Sequence, residues 1–257
     1  MKLYQIHFSP TGGTKKAAAL LAAGWNCPQE EIPLLGPGRP GKGLSFTPED
    51  ICIIAVPSYG GRVPEPALKE IGRMQGNGAK AVLTVVYGNR AFDDTLLELQ
   101  SAAEAAGFCP VAAVAAIAEH SIMRQYAAGR PNSKDAAQLA GFSREIQALL
   151  AQEPQNIQLK VPGNTPYREY HGVPMKPQVK KHRCTKCGAC AALCPAGAIS
   201  PTAPDSTDTQ KCITCMGCVA ACPNKARGLN KFMVFMGSRR LKKACCVPKE
   251  NELFLPL

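Results

Sequence analysis

The hydrophobic positions of this chain switch repeatedly between two patterns. Apolar runs at 51–56, 79–87 (broken only by Lys80 and Thr84) and 108–118 predict strands buried on both faces. A shorter strand is predicted at 2–8, where Leu3, Tyr4, Ile6 and Phe8 are the apolar members. Between the runs lie segments of helical character. Residues 15–24 are alanine-rich and close on Gly24, while 92–107 place Leu96, Leu97, Leu99, Ala103 and Ala106 on one side with Gly107 as cap. A last helix is predicted at 133–152. Strand and helix thus alternate through residues 1–153. That predicts an α/β domain with a doubly wound parallel sheet and a ligand site at the carboxyl ends of its strands.

The alternation stops at 154–180. This stretch is rich in proline and sparse in apolar periodicity, so it reads as a linker, long enough to wrap the first domain, where Tyr167, Tyr170 and His171 pack.

Beyond it, one phrase occurs twice, 28 residues apart: C-x2-C-x2-C-x3-C-P. Its residues are Cys184, Cys187, Cys190, Cys194 and Pro195, then Cys212, Cys215, Cys218, Cys222 and Pro223. This is the known spacing of bacterial iron–sulfur ligation, in which the fourth cysteine serves the other cluster. Two-residue gaps let three thiolates of a tight loop reach three corners of one cube. The fourth lies past a helical turn and points the other way. One [4Fe–4S] cluster is therefore expected on Cys184, Cys187, Cys190 and Cys222, and a second on Cys212, Cys215, Cys218 and Cys194. Each proline ends its loop by fixing φ and removing a donor N–H. Structural zinc takes four ligands and has no use for a repeated triplet followed by Cys-Pro. A disulfide framework needs an oxidising compartment, for which nothing else here argues. With all eight ligand positions matched, this region resembles the two-cluster bacterial ferredoxins, which implies a small α+β domain over 181–226. The tail, 227–257, is expected to pack on the body, with the apolar segment 232–236 over a cluster or a sheet edge.

The first strand ends in Ser9-Pro10-Thr11-Gly12-Gly13-Thr14 and opens a helix. Backbone N–H groups and the helix N-terminus then face one point, hydroxyls add donors, and glycines permit close approach. The same residue types also serve in plain N-capping, but the place after the first strand favours a phosphate cradle. The loop resembles the flavodoxin S/T-x-T-G-x-T loop, matched by Ser9, Thr11, Gly12, Gly13 and Thr14. That resemblance implies FMN and a flavodoxin-like sheet of order 2-1-3-4-5. It also implies two ring-binding loops at later strand ends. The first holds Pro57, Ser58, Tyr59, Gly60 and Gly61, with Tyr59 stacking on the ring. The second holds Tyr87, Gly88, Asn89 and Arg90; it is poorer in acids than the flavodoxin pattern, and Tyr87 stands in for the stacking tyrosine. Arg62 and Arg90 are expected to approach the ring and stabilise its reduced anion.

Composition changes this picture little. The 257 residues suit one ordinary domain and a small one, and no run approaches the roughly 18 apolar residues of a membrane span. The start has no signal-peptide pattern. Eight of the 13 cysteines fall in the repeat, and the scattered remainder (Cys27, Cys52, Cys109, Cys245 and Cys246) fits buried thiols in a reducing cytoplasm. The net charge of +11 suggests a nucleic-acid or membrane binder. Two clusters at roughly −2 each and a flavin phosphate at about −2 would remove much of it, and no aromatics interleave with the basic residues as a nucleic-acid platform needs. The basic residues gather around the cysteine repeat, which points to an acidic redox partner. A literal GxGxxG at 36–43 nearly makes a Walker loop, but Gly43 replaces the Ser/Thr and no helix-length segment follows. His7 and His120 read as structural.

The two resemblances together match the flavodoxin–ferredoxin fusions of anaerobic bacteria. They imply a cytoplasmic electron-transfer protein that relays single electrons between two [4Fe–4S] clusters and FMN, with a redox partner protein. Two alternatives remain: a flavin and iron–sulfur oxidoreductase acting on a small substrate, for which Asp93, Asp94 and His120 are the weak acid–base candidates, and a ferredoxin with a flavin-free docking domain.

Overall fold

A computed structural model describes residues 1–40, 43–152 and 158–256. Its first half alternates β1 (Leu3–His7), α1 (Gly13–Ala22), β2 (Gln29–Pro33), β3 (Ile51–Pro57), α2 (Glu65–Ile71), β4 (Lys80–Tyr87), α3 (Thr95–Ala105), β5 (Cys109–Ile117) and α4 (Ser133–Ala151). The five strands pair in parallel in the order β2-β1-β3-β4-β5. That is the flavodoxin-like doubly wound order. The central strands are buried on both faces because both are covered by helices. On one face Leu3, Ile53, Val82 and Val114 pack with Leu21 of α1 and Leu139 of α4; on the other Ile54 and Leu83 pack with Ile71, Leu96 and Leu99. Truncating a side chain such as Leu83 to alanine is expected to cost roughly 2–5 kcal/mol.

Several boundaries differ from the hydrophobic reading, each for a local reason. Helix α3 begins at Thr95 because Asp93 takes a left-handed φ of 43° and breaks the run from Phe92. Helix α4 is fixed at its start by a reciprocal capping box, Asn132 with Asp135. Strand β2 carries no apolar run, because only Ile32 of Gln29–Pro33 is buried.

The chain then runs along the domain it has just built. Leu159 joins the sheet core and its carbonyl accepts from Gln100. Asp94 accepts from Asn164 N, Asn164 Nδ2 and Arg168 N, and the Tyr167 hydroxyl meets Ser101. Tyr167 and Tyr170 pack as expected, whereas His171 stays exposed. The expected boundary at 153/154 lies outside the described residues.

The cysteine region is built around a two-stranded antiparallel pair, β6 (Gln178–Val179) and β7 (Arg227–Gly228), and two short helices, α5 (Ala189–Ala192) and α6 (Gly217–Ala220). The sequence repeat is also a backbone repeat. Left-handed conformations fall at Lys186 and Thr214, Gly188 and Met216, and Gly197 and Lys225, each pair spaced by the repeat.

The tail forms a helix, α7 (Lys231–Cys245), and a strand, β8 (Glu252–Phe254), that pairs antiparallel with β5. The sheet edge is therefore covered by β8, and the segment 232–236 lies elsewhere. It forms the first turns of α7, where Phe232 and Phe235 are exposed. Among the described residues no helix is long and apolar enough to cross a membrane.

Candidate cofactor sites

Two small cavities lie within the cysteine region, and the eight repeat cysteines divide between them. Cys184, Cys187, Cys190 and Cys222 line one. Cys194, Cys212, Cys215 and Cys218 line the other. Each fourth cysteine crosses to the other repeat's loop. The backbone supports both crossings alike: Ala198 N donates to Cys194 Sγ and Ala226 N to Cys222 Sγ, each at 3.2 Å. Buried Arg227 donates to the Pro204 and Ser206 carbonyls, holding that loop beside the first cavity. Burial pushes the Cys215 thiol up to about 12 and the Cys218 thiol up to about 11. Such thiols bind as thiolates only where a metal offsets the charge. Two loops presenting four sulfurs each are the donor set a [4Fe–4S] cluster takes. The surroundings differ: Cys187 is exposed, whereas Cys215 and Cys218 are buried.

A third and far larger cavity, about 1090 Å³, opens at the carboxyl ends of β1, β3, β4 and β5. Parallel strands direct all these ends to one edge of the sheet, so their loops converge. Its volume reaches the upper end of the roughly 300–1,000 Å³ common for ligand sites. The linker, the second cysteine loop and α7 complete its walls through Tyr170, Met175, Ile213, Thr214, Met233 and Met236.

Ten of the fourteen residues expected at a flavin line this cleft: Thr11, Gly13, Thr14, Pro57, Ser58, Tyr59, Gly60, Tyr87, Gly88 and Arg90. Gly12 does not line the cleft; it is the N-cap of α1, with φ 91° and no side-chain cap. Ser9 Oγ accepts from Lys15 N at 2.9 Å. That later amide is occupied, but α1 has no side-chain cap for its first amides, and Thr11, Gly13 and Thr14 line the cleft at this helix start, a fit for an anionic group such as the FMN phosphate.

The other two do different work. Gly61 has no room for a side chain beside Asp93 and Arg168. Asn89 is buried and binds the tail at Cys245, Val247 and Lys249. Tyr59 turns its hydroxyl to the Cys215 carbonyl, 3.4 Å away, and Tyr87 packs edge-on against Phe92. Arg62 departs from expectation. It is held by Glu98 at 2.5–2.9 Å and by the Arg168 carbonyl, stacks over Tyr167, and does not line the cleft.

The sequence names Tyr170 as a packing residue of the linker and His120 as structural or an acid–base candidate, but places neither at the cleft, where Tyr170 packs on Gly60 and His120 on Gly88. A lone tyrosine in a linker and a lone histidine after a strand carry no spacing signal. His120 Nδ1 accepts from Ile122 N and Met123 N, both at 3.2 Å, which leaves Nε2 to carry the proton. Burial holds this imidazole below its ordinary value, and the Arg90 charge adds to the effect. Asp93 is paired with Arg90 and Arg168. For Asp94, burial opposes the charge but the Arg168 and Asn164 donors outweigh it, keeping the carboxylate ionised.

The GxGxxG segment makes no nucleotide loop in its described part. No helix follows it, and Gly36 packs against Leu193 of the cysteine region; residues 41 and 42 lie outside the described residues.

Residues 183–227 match the 4Fe-4S dicluster domain family. No curated protein matches the chain. Among solved structures it is similar to the flavodoxin of Streptococcus pneumoniae TIGR4, at 14% identity and a TM-score of 0.42, covering 58% of this chain and 99% of that one. A flavodoxin from the domain Archaea follows at 12% and 0.40, with 58% and 99% covered. A WrbA-like flavodoxin from Agrobacterium tumefaciens stands at 13% and 0.37, with 60% and 99% covered. The chain thus joins a sheet of the flavodoxin strand order to a 4Fe-4S dicluster domain.

Proposed function

We propose that this chain is an electron-transfer protein in which two [4Fe–4S] clusters and one FMN stand in series. The outer cluster would sit on Cys184, Cys187, Cys190 and Cys222, and the inner one on Cys194, Cys212, Cys215 and Cys218. FMN would occupy the cleft with its phosphate at Thr11, Gly13 and Thr14. The observation that carries this reading is Ile213, which lines both the second cysteine cavity and the cleft. Pro10 and Gly217 support it from the next turn, since a Cβ on Gly217 would lie 3.2 Å from Pro10 Cβ. FMN exchanges two electrons and can pass them singly, while each cube carries one. Tethering the modules makes that exchange intramolecular. The working parts are then 1–153 for FMN, 154–180 as the strap, 181–226 for the clusters and 227–257 as cover. The setting is a reducing cytoplasm and the partner an acidic redox protein.

The test is composition after purification without oxygen. About eight irons and about one FMN per chain are expected. Thr14→Val should lower FMN affinity roughly tenfold and leave iron unchanged. Full iron with no FMN, even after the flavin is added, would instead make the first domain a docking module.

A further inference from the structure

Strand order divides the cleft. The ends of β1 and β3 bear the phosphate loop and Tyr59, and the second cysteine loop closes on this side through Ile213, Thr214 and the Tyr59–Cys215 contact. The far side, beyond β4, is a second lobe of the same cavity. There the loop after β5 supplies His120 and Met123, the linker supplies Met175, and α7 forms the roof. Gly237 fits against Met123 and Met175, where an added Cβ would lie 2.7 Å and 3.2 Å from their methyl carbons. Tyr126 fixes the roof by donating to the Ser238 carbonyl at 2.6 Å.

On α7, Met233, Met236, Gly237 and Arg240 recur at helical spacing, so they form one strip facing the lobe. Met123 and Met175 below, with Met233 and Met236 on the roof, give an apolar, adaptable wall. The charges are one-sided. Glu119 is taken by Arg124, and Asp93 by Arg90 and Arg168. Arg239 stacks on Phe235, and among the described residues neither Arg239 nor Arg240 pairs with Glu119, the acidic residue that lines the cleft.

We infer that the lobe under α7 binds a second small molecule beside the flavin, with an apolar body and one anionic group, the anion being met by Arg240. This rests on the FMN reading above. It would place the cluster on one side of the flavin and a small-molecule site on the other, which favours a substrate-binding protein over a plain carrier.

The test uses the anaerobic, FMN-loaded full chain and 8-anilinonaphthalene-1-sulfonate, an apolar anion that fluoresces when desolvated. N-phenyl-1-naphthylamine, its neutral analogue, is the control. The sulfonate should bind without displacing FMN in equilibrium dialysis, and should perturb the visible spectrum of the bound flavin. Arg240→Gln should weaken the sulfonate about tenfold and leave the neutral analogue unchanged. Arg240→Lys should restore most of the affinity, and unchanged cluster absorbance would show that both variants are folded. One-for-one displacement of FMN by the sulfonate would overturn the inference and leave the flavin reading standing, as would a sulfonate affinity indifferent to Arg240→Gln. Failure of the protein to take up FMN at all would overturn both.

Discussion

Asn89 holds Lys249 by the main chain: the Lys249 N–H donates to Asn89 Oδ1 at 3.0 Å, while Asn89 Nδ2 donates to the Cys245 and Val247 carbonyls at 2.7 and 2.8 Å. The side chain is 3% exposed, and its φ of 64° suits asparagine better than most residues. One loop residue thus ties the end of α7 to the loop after β4. Asn89→Ala removes three bonds and leaves buried groups unpaired, each on the order of 1–3 kcal/mol. The expected result is cleavage within 228–250 at least tenfold faster in limited proteolysis, with cluster absorbance retained. Unchanged cleavage would mean β8 alone holds the tail.

That role was not legible in the sequence, where Asn89 reads as part of a ring-binding loop. The sheet was legible because Ile51–Pro57 and Lys80–Tyr87 are buried on both faces and spell it out without partners. The division of the cysteines was legible because the Cys-Pro spacing fixes which way the fourth sulfur points. What escaped depends on contacts across long separations. Arg62 finds Glu98 of α3 across a helix and a strand, α2 and β4, and α7 is held in place by Tyr126 and Asn89, both more than 100 residues before it. The apolar segment 232–236 reads as cover for a cluster or a sheet edge, yet it opens α7 with Phe232, Met233, Phe235 and Met236 exposed, which no local pattern announces.

Arg62 and Arg90 are expected to separate experimentally. Arg62 pairs with Glu98, which is 5% exposed, so Arg62→Gln strands a buried carboxylate and should cost roughly 3–5 kcal/mol in stability. It should leave the flavin potential unchanged. Arg90 lines the cleft. Arg90→Gln should make reduction of the flavin harder, by about 20 mV per kcal/mol of lost stabilisation on a two-electron couple. Spectroelectrochemical titration of both variants decides it, and equal shifts would remove the distinction.

The crossing cysteines give a directional prediction. Cys222 belongs to the outer cavity and Cys194 to the one that shares Ile213 with the cleft. With a cluster in each, Cys222→Ser should slow uptake from an external protein donor yet preserve reduction of the flavin once the inner cluster is reduced. Cys194→Ser should break that second transfer. Stopped-flow bleaching of the flavin reads both. Loss of flavin reduction in Cys222→Ser alone would reverse the order of the series.

His120 gives the loop after β5 a pH dependence of known sign. Its Nδ1 accepts two backbone N–H groups, so protonation there breaks both. Burial, helped by Arg90, holds the folded value below the ordinary one of about 6.5. Between those two values the opened loop binds the proton and the closed loop does not, so the closed state is favoured as pH rises. Its stability is complete above the ordinary value and is lost as pH falls toward the folded one. Amide exchange across 119–126, corrected for intrinsic rates, should accelerate as pH drops from about 7.5 to about 5.5. His120→Gln should flatten the profile; a wild-type profile already flat would place the titration elsewhere.

Arg183 and Lys186 line the outer cysteine cavity, exposed Lys180, Lys181 and Lys225 lie within three residues of its lining along the chain, and Cys187 also reaches the surface there. Bound clusters would neutralise part of this charge locally, so two outcomes compete. If the cations only offset cluster charge, the field at partner distance is weak and salt has little to screen. If they steer an acidic donor, the association rate should fall as the screening length shrinks from about 10 Å at 0.1 M salt to about 3 Å at 1 M. Rim charges act mainly on association, so Lys181→Glu with Lys225→Glu should reproduce the high-salt rate at low salt and leave dissociation nearly unchanged. An acidic ferredoxin as donor, against a small uncharged reductant as control, separates the two. A salt-independent rate with the acidic donor would remove steering and leave the basic rim as charge compensation for the cluster beneath it.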